Sequence, residues 1–529
     1  MYDRPMDPLQ LLPLLLVVIA AAAAALSWGA KKAAEFLWRP VHLRRLLRMQ
    51  GLEGPRPKFL VGNMDEITRM KETAFHQPME IGDHNLLQRI CPYYLEWSKL
   101  YGRTFVFWWG TEPRITVTRP DMIKEILYSK AAHFGKSALQ RKGGAVLLGN
   151  GLIMANGSDW AHRRAIVCRA FKMDKIKEMV PSMLESTKNL IRRWDAHLEL
   201  NGGAPCEVDA YRDLAVVTAD IIATTAFGSS YSDGIKLFHT LTSIQKLFVQ
   251  SNKYLWLPGS RLLPTRTNRK IRKLQREMQA LLQDLIKARL SSPSLGTDLL
   301  ALMLSAVEED PGNKVQSSKF KFTIQQLIEE CQTFFFVGHE TTLMLVTWAM
   351  MLLCLHPEWQ DLARKEARQV LQESNRVVNA DTLAKLKTVG MIINETLRLY
   401  PPAPNLVRAA LQDTCVGDLY VPKGTTFWIP ILALHQDKHL WGEDAHEFRP
   451  QRFSQGVSRA CKTYDFLPFS SGPRICVGQS FAIMEAKLIL AMILQHYHLG
   501  LSPRYKHSPV SSVTLKPGLG MQLMIKRCD

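Results

Sequence analysis

The longest helix-patterned stretch of the chain runs from Thr323 to Leu355, about 30 residues and therefore about 45 Å of rod. Thr323 with Gln326 three residues on is a capping-box start, and His356-Pro357 is a stop. Phe334 to Leu355 is apolar enough to suggest a membrane span, but Gly338-His339-Glu340-Thr341-Thr342 interrupts it at the centre. A buried carboxylate is costly unless it is paired or used, so the stretch reads as a helix through a protein core. A mid-helix threonine can turn its hydroxyl to the carbonyl four residues back, here Thr341 to Val337, and loosen the helix locally.

The rest of the chain is consistent with one large domain around such a helix. Its 529 residues show no internal repeat and no long low-complexity linker after the first sixty. A formal charge of +19, from 67 Lys plus Arg against 48 Asp plus Glu, suits an anionic membrane surface, an acidic protein partner or a nucleic acid. The basic residues are scattered and no nucleic-acid motif accompanies them, so no nucleic-acid partner is expected. Nine cysteines without regular spacing argue against a disulfide framework and for a reducing compartment.

Leu9 to Ala30 is an apolar run long enough to cross a bilayer. A cleaved signal peptide is the alternative, but the run exceeds a typical signal core, and Lys31, Lys32, Arg39, Arg44, Arg45 and Arg48 follow it directly. The positive-inside rule then predicts a retained single-pass anchor with the bulk of the chain in the cytosol. Gly51 to Pro57 breaks any helix and reads as a stiff hinge. Phe105 to Val117, β-branched and aromatic around Gly-Thr-Glu-Pro, reads as a hairpin. Most later segments are helical, so the expected fold is mainly α with small β-sheets.

Cys476 lies between Gly472 and Gly478 and precedes a helical run, Gln479 to Gln495. That places its sulfur at a helix start, where unpaired N–H groups and the helix dipole favour a thiolate. No second cysteine or histidine stands within a few residues, which argues against a zinc knuckle. Two readings of the residue remain: a small apolar cysteine packed at a helix start, or a single thiolate below a haem iron.

The decapeptide Phe469 to Gly478, Phe-Ser-Ser-Gly-Pro-Arg-Ile-Cys-Val-Gly, resembles the haem-binding signature of the cytochrome P-450 haem-thiolate monooxygenases, matching all five specified positions of Phe-x-x-Gly-x-Arg-x-Cys-x-Gly. The resemblance implies that fold, as a single large domain over residues 51–529 behind an anchor of residues 1–50. It makes Cys476 the axial ligand of haem b. Trp160 and Arg164 would meet a haem propionate, with Arg408 and Arg474 as further propionate partners, while Phe469, Gly478 and Gly338 would border the cofactor. Val337-Gly338-His339-Glu340-Thr341 resembles the oxygen-binding motif: Gly338 would let dioxygen approach, Thr341 would hydrogen-bond it and Glu340 would relay protons. Val337 departs from the small residue usual there and should crowd the space above the haem. Glu395 and Arg398, with Arg452, match a buried network that braces the cysteine loop. Asn405, Leu406, Val407 and Val513-Thr514-Leu515 would face the substrate.

By the same resemblance the chain is a membrane-bound monooxygenase of the endoplasmic reticulum. It would draw electrons from NADPH through a flavoprotein reductase and insert one oxygen atom of O2 into a C–H bond of a small lipophilic or prenylated metabolite. Ser251 to Ser260, Gly149 to Gly157 and Trp441 to Pro450 look most like the cytokinin side-chain hydroxylases of a plant hormone-modifying clan. Hydroxylation of fatty acids, gibberellins or brassinosteroids stays open. So do a peroxide-rearranging haem isomerase and a non-catalytic haem-binding protein.

Overall fold

In the computed structural model, which describes residues 8–229, 231–251, 260–306, 322–373 and 377–528, the capping box at Thr323 is formed in full. Thr323 Oγ1 accepts from the Gln326 N–H at 3.1 Å, and Gln326 Oε1 accepts from the Thr323 N–H at 2.9 Å. The helix it opens runs Ile324–Leu355 and ends before Pro357, as the sequence predicts. Among the described residues this is the one helix long and apolar enough to cross a membrane, and 78% of its most apolar window is buried inside the protein. It is therefore the core helix expected, not a span.

Helices make up 62% of the molecule. At the N-terminus lie α1 Pro8–Ala33 and α2 Arg39–Met49; the helices that build the site are α3 Ala138–Leu148, α4 Gly157–Ala170, α5 Ala210–Phe227, α6 Tyr231–Ser251, the central α7 Ile324–Leu355, α8 Lys387–Leu399 and α9 Gln479–His496. Around α7 pack α5 on one side and α8 and α9 on the other. Gly338 shows how tight this is: a Cβ built on it would stand 2.6 Å from Ile222 Cδ1 of α5.

Four small sheets surround the bundle. The largest has five strands, β1 Val106–Trp109, β2 Glu112–Thr116, β3 Phe134–Gly135, β5 Leu406–Ala410 and β8 Thr426–Ile429, in the order β1-β2-β8-β5-β3. Its first two strands are the expected hairpin, paired Val106↔Ile115 to Trp109↔Glu112. The turn is tighter than the sequence suggests, because Glu112 and Pro113 already belong to β2. A three-stranded sheet joins β4 Cys206–Asp209, β12 Gln522–Arg527 and β9 Tyr497–Leu501. Two ribbons, β6 Thr414–Val416 with β7 Leu419–Val421 and β10 Pro509–Ser511 with β11 Leu515–Pro517, complete the set.

The segment after α2 is docked. Glu53 O accepts from the Val106 N–H at 2.9 Å, and Gly54 lies so close to the Val106 carbonyl that no side chain would fit. Leu43 and Leu47 of α2 are buried, whereas the described apolar side chains of α1, including Leu16, Val17, Leu26 and Trp28, are exposed. Of the stretch Ser251 to Ser260, residues 252–259 lie outside the described residues.

Candidate active site

The loop from Phe469 to Gly478 is held by its own backbone. The Ser470 N–H reaches Leu467 O at 3.0 Å, Ile475 N–H reaches Gly472 O at 3.0 Å, and Cys476 N–H reaches Phe469 O at 2.9 Å. Gly472 has φ +71°, and a Cβ there would overlap the Leu127 carbonyl, so glycine is required twice over. Gly478 caps α9 with an ordinary φ of −92°, and only Phe171 Cε1, 3.9 Å away, comes near the place where its side chain would begin.

The Cys476 side chain is accessible, yet burial pushes its thiol above the ordinary value. A group that is surrounded by protein and still has open surface lines an internal concavity. The Gly478 N–H and the Arg164 charge pull the thiol the other way without reversing the shift. The helix-start N–H acts in the expected direction, desolvation opposes it, and a bound cation would deprotonate the sulfur outright.

Around the same concavity gather four cations. Arg408 of β5 is buried, and burial brings it down to about 10. Arg474 is brought to about 10 by burial, then by repulsion from Arg408 and Arg164. Lys136 falls well below its ordinary value from burial and from the same two arginines, Arg408 and Arg474. Trp160 and Arg164 share one face of α4, and the Arg474 guanidinium lies 4.5 Å over the Trp160 ring. Arg474 also donates to Ala155 O at 3.1 Å, and Arg408 donates to Val407 O at 3.1 Å and Ser470 Oγ at 3.4 Å. None of the four cations has a carboxylate partner among the described residues. Buried charge of one sign without a counter-charge fits a dianionic group in this space, as the two propionates of a haem would be.

Opposite lies α7. Its residues are buried on both sides of the midpoint, but Val337, Gly338, His339 and Thr341 keep partial exposure deep in the bundle. Thr341 Oγ1 donates to Val337 O at 3.0 Å, the bond expected from the sequence. Glu340 is buried and makes its hydrogen bonds elsewhere: Oε1 accepts from Gln245 Nε2 at 2.8 Å and from Thr514 Oγ1 at 2.9 Å. Gly338 turns the place of its missing side chain toward Ile222, so its smallness serves helix packing on that side. Asn405, Leu406, Val407 and Val513 are part-exposed. Leu515 is not: it is fully buried, with its N–H on Pro402 O and its carbonyl on the Trp348 indole. The expectation that Leu515 faces a substrate is corrected accordingly.

The brace behind the loop is continuous. Arg398 and Glu395, both fully buried, pair through Nε to Oε2 at 2.8 Å and Nη2 to Oε1 at 2.7 Å. Arg398 also donates to the carbonyls of His435, Ala445 and Glu447. Arg452 Nε stands 3.4 Å from Glu395 Oε1, an ion pair without hydrogen-bond alignment, and its other nitrogens donate to Trp441 O and Asp444 O. From there His435 Nε2 accepts the Leu467 N–H at 2.9 Å, which ties the network to the cysteine loop. That bond requires neutral His435 with its proton on Nδ1, and burial with the nearby Arg398 charge lowers the ring to about 3.

Sequence reasoning missed several of these groups. Lys136 and His435 are lone residues with no motif around them. Asn156 joins Lys136 to the arginines: its Oδ1 accepts from the Lys136 N–H at 2.8 Å and its Nδ2 donates to Lys136 O at 2.9 Å. Arg163, beside Arg164, points the other way and pairs with buried Glu330 of α7 at 2.8 Å. Glu485 of α9 is fully buried, and desolvation pushes its carboxyl well above the carboxylate range, with Thr342 opposing.

The family model described as "Cytochrome P450" matches residues 81–523. The chain belongs to the cytochrome P450 family. As a P450 it is an oxidoreductase of the monooxygenase type, and the family's cofactor is a haem iron with a thiolate ligand. It is 41% identical over 496 residues, 93% of this chain and 94% of the relative, to a protein named "Cytokinin hydroxylase" from Arabidopsis thaliana. A second Arabidopsis thaliana "Cytokinin hydroxylase" is 40% identical over 493 residues, 92% of this P450 and 93% of the relative. "Cytochrome P450 734A6" from Oryza sativa subsp. japonica is 39% identical over 514 residues, 94% of each chain.

Proposed function

We propose that this P450 is a membrane-bound hydroxylase of the prenyl side chain of isopentenyl adenine cytokinins, fed with electrons from NADPH by a flavoprotein reductase. The observation that carries the substrate is the 41% identity to a cytokinin hydroxylase over 93% of the chain. The resemblance in Gly149 to Gly157 and Trp441 to Pro450 adds less. Gly151 is pressed against Thr333 and Glu330 of α7, and Asp444 and Ala445 serve the Arg398 and Arg452 network, so both stretches are scaffold. Exposed Leu16, Val17, Leu26 and Trp28 on α1, followed by the basic stretch to Arg48, support insertion of residues 1–50 in the endoplasmic reticulum membrane with the rest in the cytosol.

Bound haem supplies the iron at which dioxygen is reduced and one oxygen atom is made available to a C–H bond. Cys476 would hold the iron through its sulfur, and the Gly478 N–H would stabilise the negative charge there. Arg164, Arg408, Arg474 and Lys136 would hold the two carboxylates of the group. Thr341, its hydroxyl on the Val337 carbonyl, would offer a hydrogen bond to dioxygen, and Glu340, the next residue along α7, would carry protons toward it. Val337 narrows the approach. Two measurements test the proposal. Cys476→Ala removes the red-shifted carbon-monoxide band of the reduced protein, and a normal band in that variant defeats the ligand assignment. In reconstituted turnover, isopentenyl adenine nucleotides are hydroxylated in preference to fatty acids and terpenoid or steroid hormones; preference for one of the latter replaces the substrate.

A further inference from the structure

Glu340 has an unusual set of partners for a buried carboxylate. Its ligands are two neutral donors, Gln245 at 2.8 Å and Thr514 at 2.9 Å, both on Oε1, while Oε2 stands 3.9 Å from His339 Nε2. Gln245 belongs to α6 and Thr514 to the turn between β10 and β11, so residues 95 and 174 positions away along the chain meet on one oxygen. All three are nearly inaccessible, at 8% for Gln245, 3% for Glu340 and 5% for Thr514. The remaining titratable neighbour, Tyr211 of α5, is raised by burial and then by the Glu340 charge itself. No lysine or arginine is paired with Glu340 among the described residues.

Both donor-bearing elements reach the part-exposed patch of α7. Phe238 of α6 lies with its ring 5.5 Å from that of His339, a part-exposed residue of the central patch. Thr514 follows Val513, which is part-exposed beside it. A hydrogen bond from an uncharged donor to a carboxylate is directional, so the hold on this oxygen depends on where α6 and the hairpin tip place their side chains. We infer that Gln245 and Thr514 are positioning residues for Glu340: they fix its carboxylate when α6 and the hairpin tip are seated. Proton supply at Thr341 thereby depends on a carboxylate held in place by both elements. The inference rests on the reading of Glu340 as a proton carrier.

The test uses the holoenzyme with its reductase and reads product formed per NADPH oxidised, together with the solvent deuterium isotope effect. Variants are Glu340→Gln, Gln245→Leu, Thr514→Val and Thr514→Ser, each scored only in preparations that keep the red-shifted carbon-monoxide band. Gln245→Leu and Thr514→Val each lower the product ratio about 10- to 100-fold, the worth of one hydrogen bond to a charged group, and alter the isotope effect. Thr514→Ser, which keeps the hydroxyl, restores both. If Glu340→Gln lowers the ratio while Thr514→Val behaves like Thr514→Ser, the positioning role is wrong and the reading of Glu340 survives. If Glu340→Gln itself leaves the ratio unchanged, that reading fails and takes the inference with it. Should Gln245→Leu lose the band, the Thr514 pair decides alone.

Discussion

Gly338 offers a way to separate packing from chemistry. Replacing it with alanine adds about 1 kcal/mol of helix propensity to α7. The new methyl would also stand 2.6 Å from Ile222 Cδ1 and Cγ1, well inside ordinary carbon contact. Overpacking of this kind costs about 1–3 kcal/mol, so Gly338→Ala alone should destabilise by about 0–2 kcal/mol. Ile222→Ala alone empties the space and costs about 2–5 kcal/mol. In the double variant the nearest Ile222 atom left is Cβ, 3.5 Å from the added methyl, an ordinary contact. The loss in the double variant should then fall short of the sum of the two single losses by about 1–3 kcal/mol. Urea unfolding of the four holoproteins, followed by tryptophan fluorescence, measures the coupling. Additivity within about 0.5 kcal/mol would refute the packing argument. Product formation by the double variant then reports whether the glycine also serves the approach of dioxygen.

Three other perturbations have expected outcomes. His84, His435 and His507 are held neutral by burial, at about 3, about 3 and about 4. Their folded values lie below the unfolded 6.5, so the unfolded chain takes up protons that the folded one refuses. Stability is complete above about pH 6.5 and falls by up to about 1.4 kcal/mol per pH unit per histidine as pH drops toward 4. Denaturant titrations at several pH values should show His435→Asn flattening that slope. Arg398→Ala leaves the fully buried Glu395 charge facing only Arg452, costs about 3–5 kcal/mol and lowers the fraction of haem-loaded protein; Glu395→Ala in the same chain should recover part of the loss. Val337→Ala widens the part-exposed patch of α7, and binding spectra should then register bulkier substrates that the parent rejects.

Much of this arrangement was legible because local rules act over a few residues. The capping box at Thr323, the stop at Pro357, the hairpin at Gly110 and the one-face spacing of Trp160 and Arg164 need no knowledge of the rest of the chain. The spacing of Gly472, Arg474 and Cys476 is of the same kind. What escaped depends on where distant segments land. Lys136 joins Arg408 and Arg474 only because β3 pairs with β5, and His435 touches the cysteine loop only through the Leu467 N–H. The opposing effect of burial at Cys476 escaped for a related reason: a helix start is visible in sequence, whereas the depth at which it is buried is not. Leu515 likewise reads as a hairpin residue open to a ligand until Pro402 and Trp348 are seen to close on it.

The four cations gathered at Cys476 bear on more than catalysis. A chain that folds with like charges crowded together stays strained until an anionic group neutralises them. Occupancy therefore adds to folding by mass action, growing with the logarithm of free haem over its dissociation constant. The amount of this protein that a cell accumulates would follow its porphyrin supply as well as its transcript, with the unfilled chain the fraction removed by quality control.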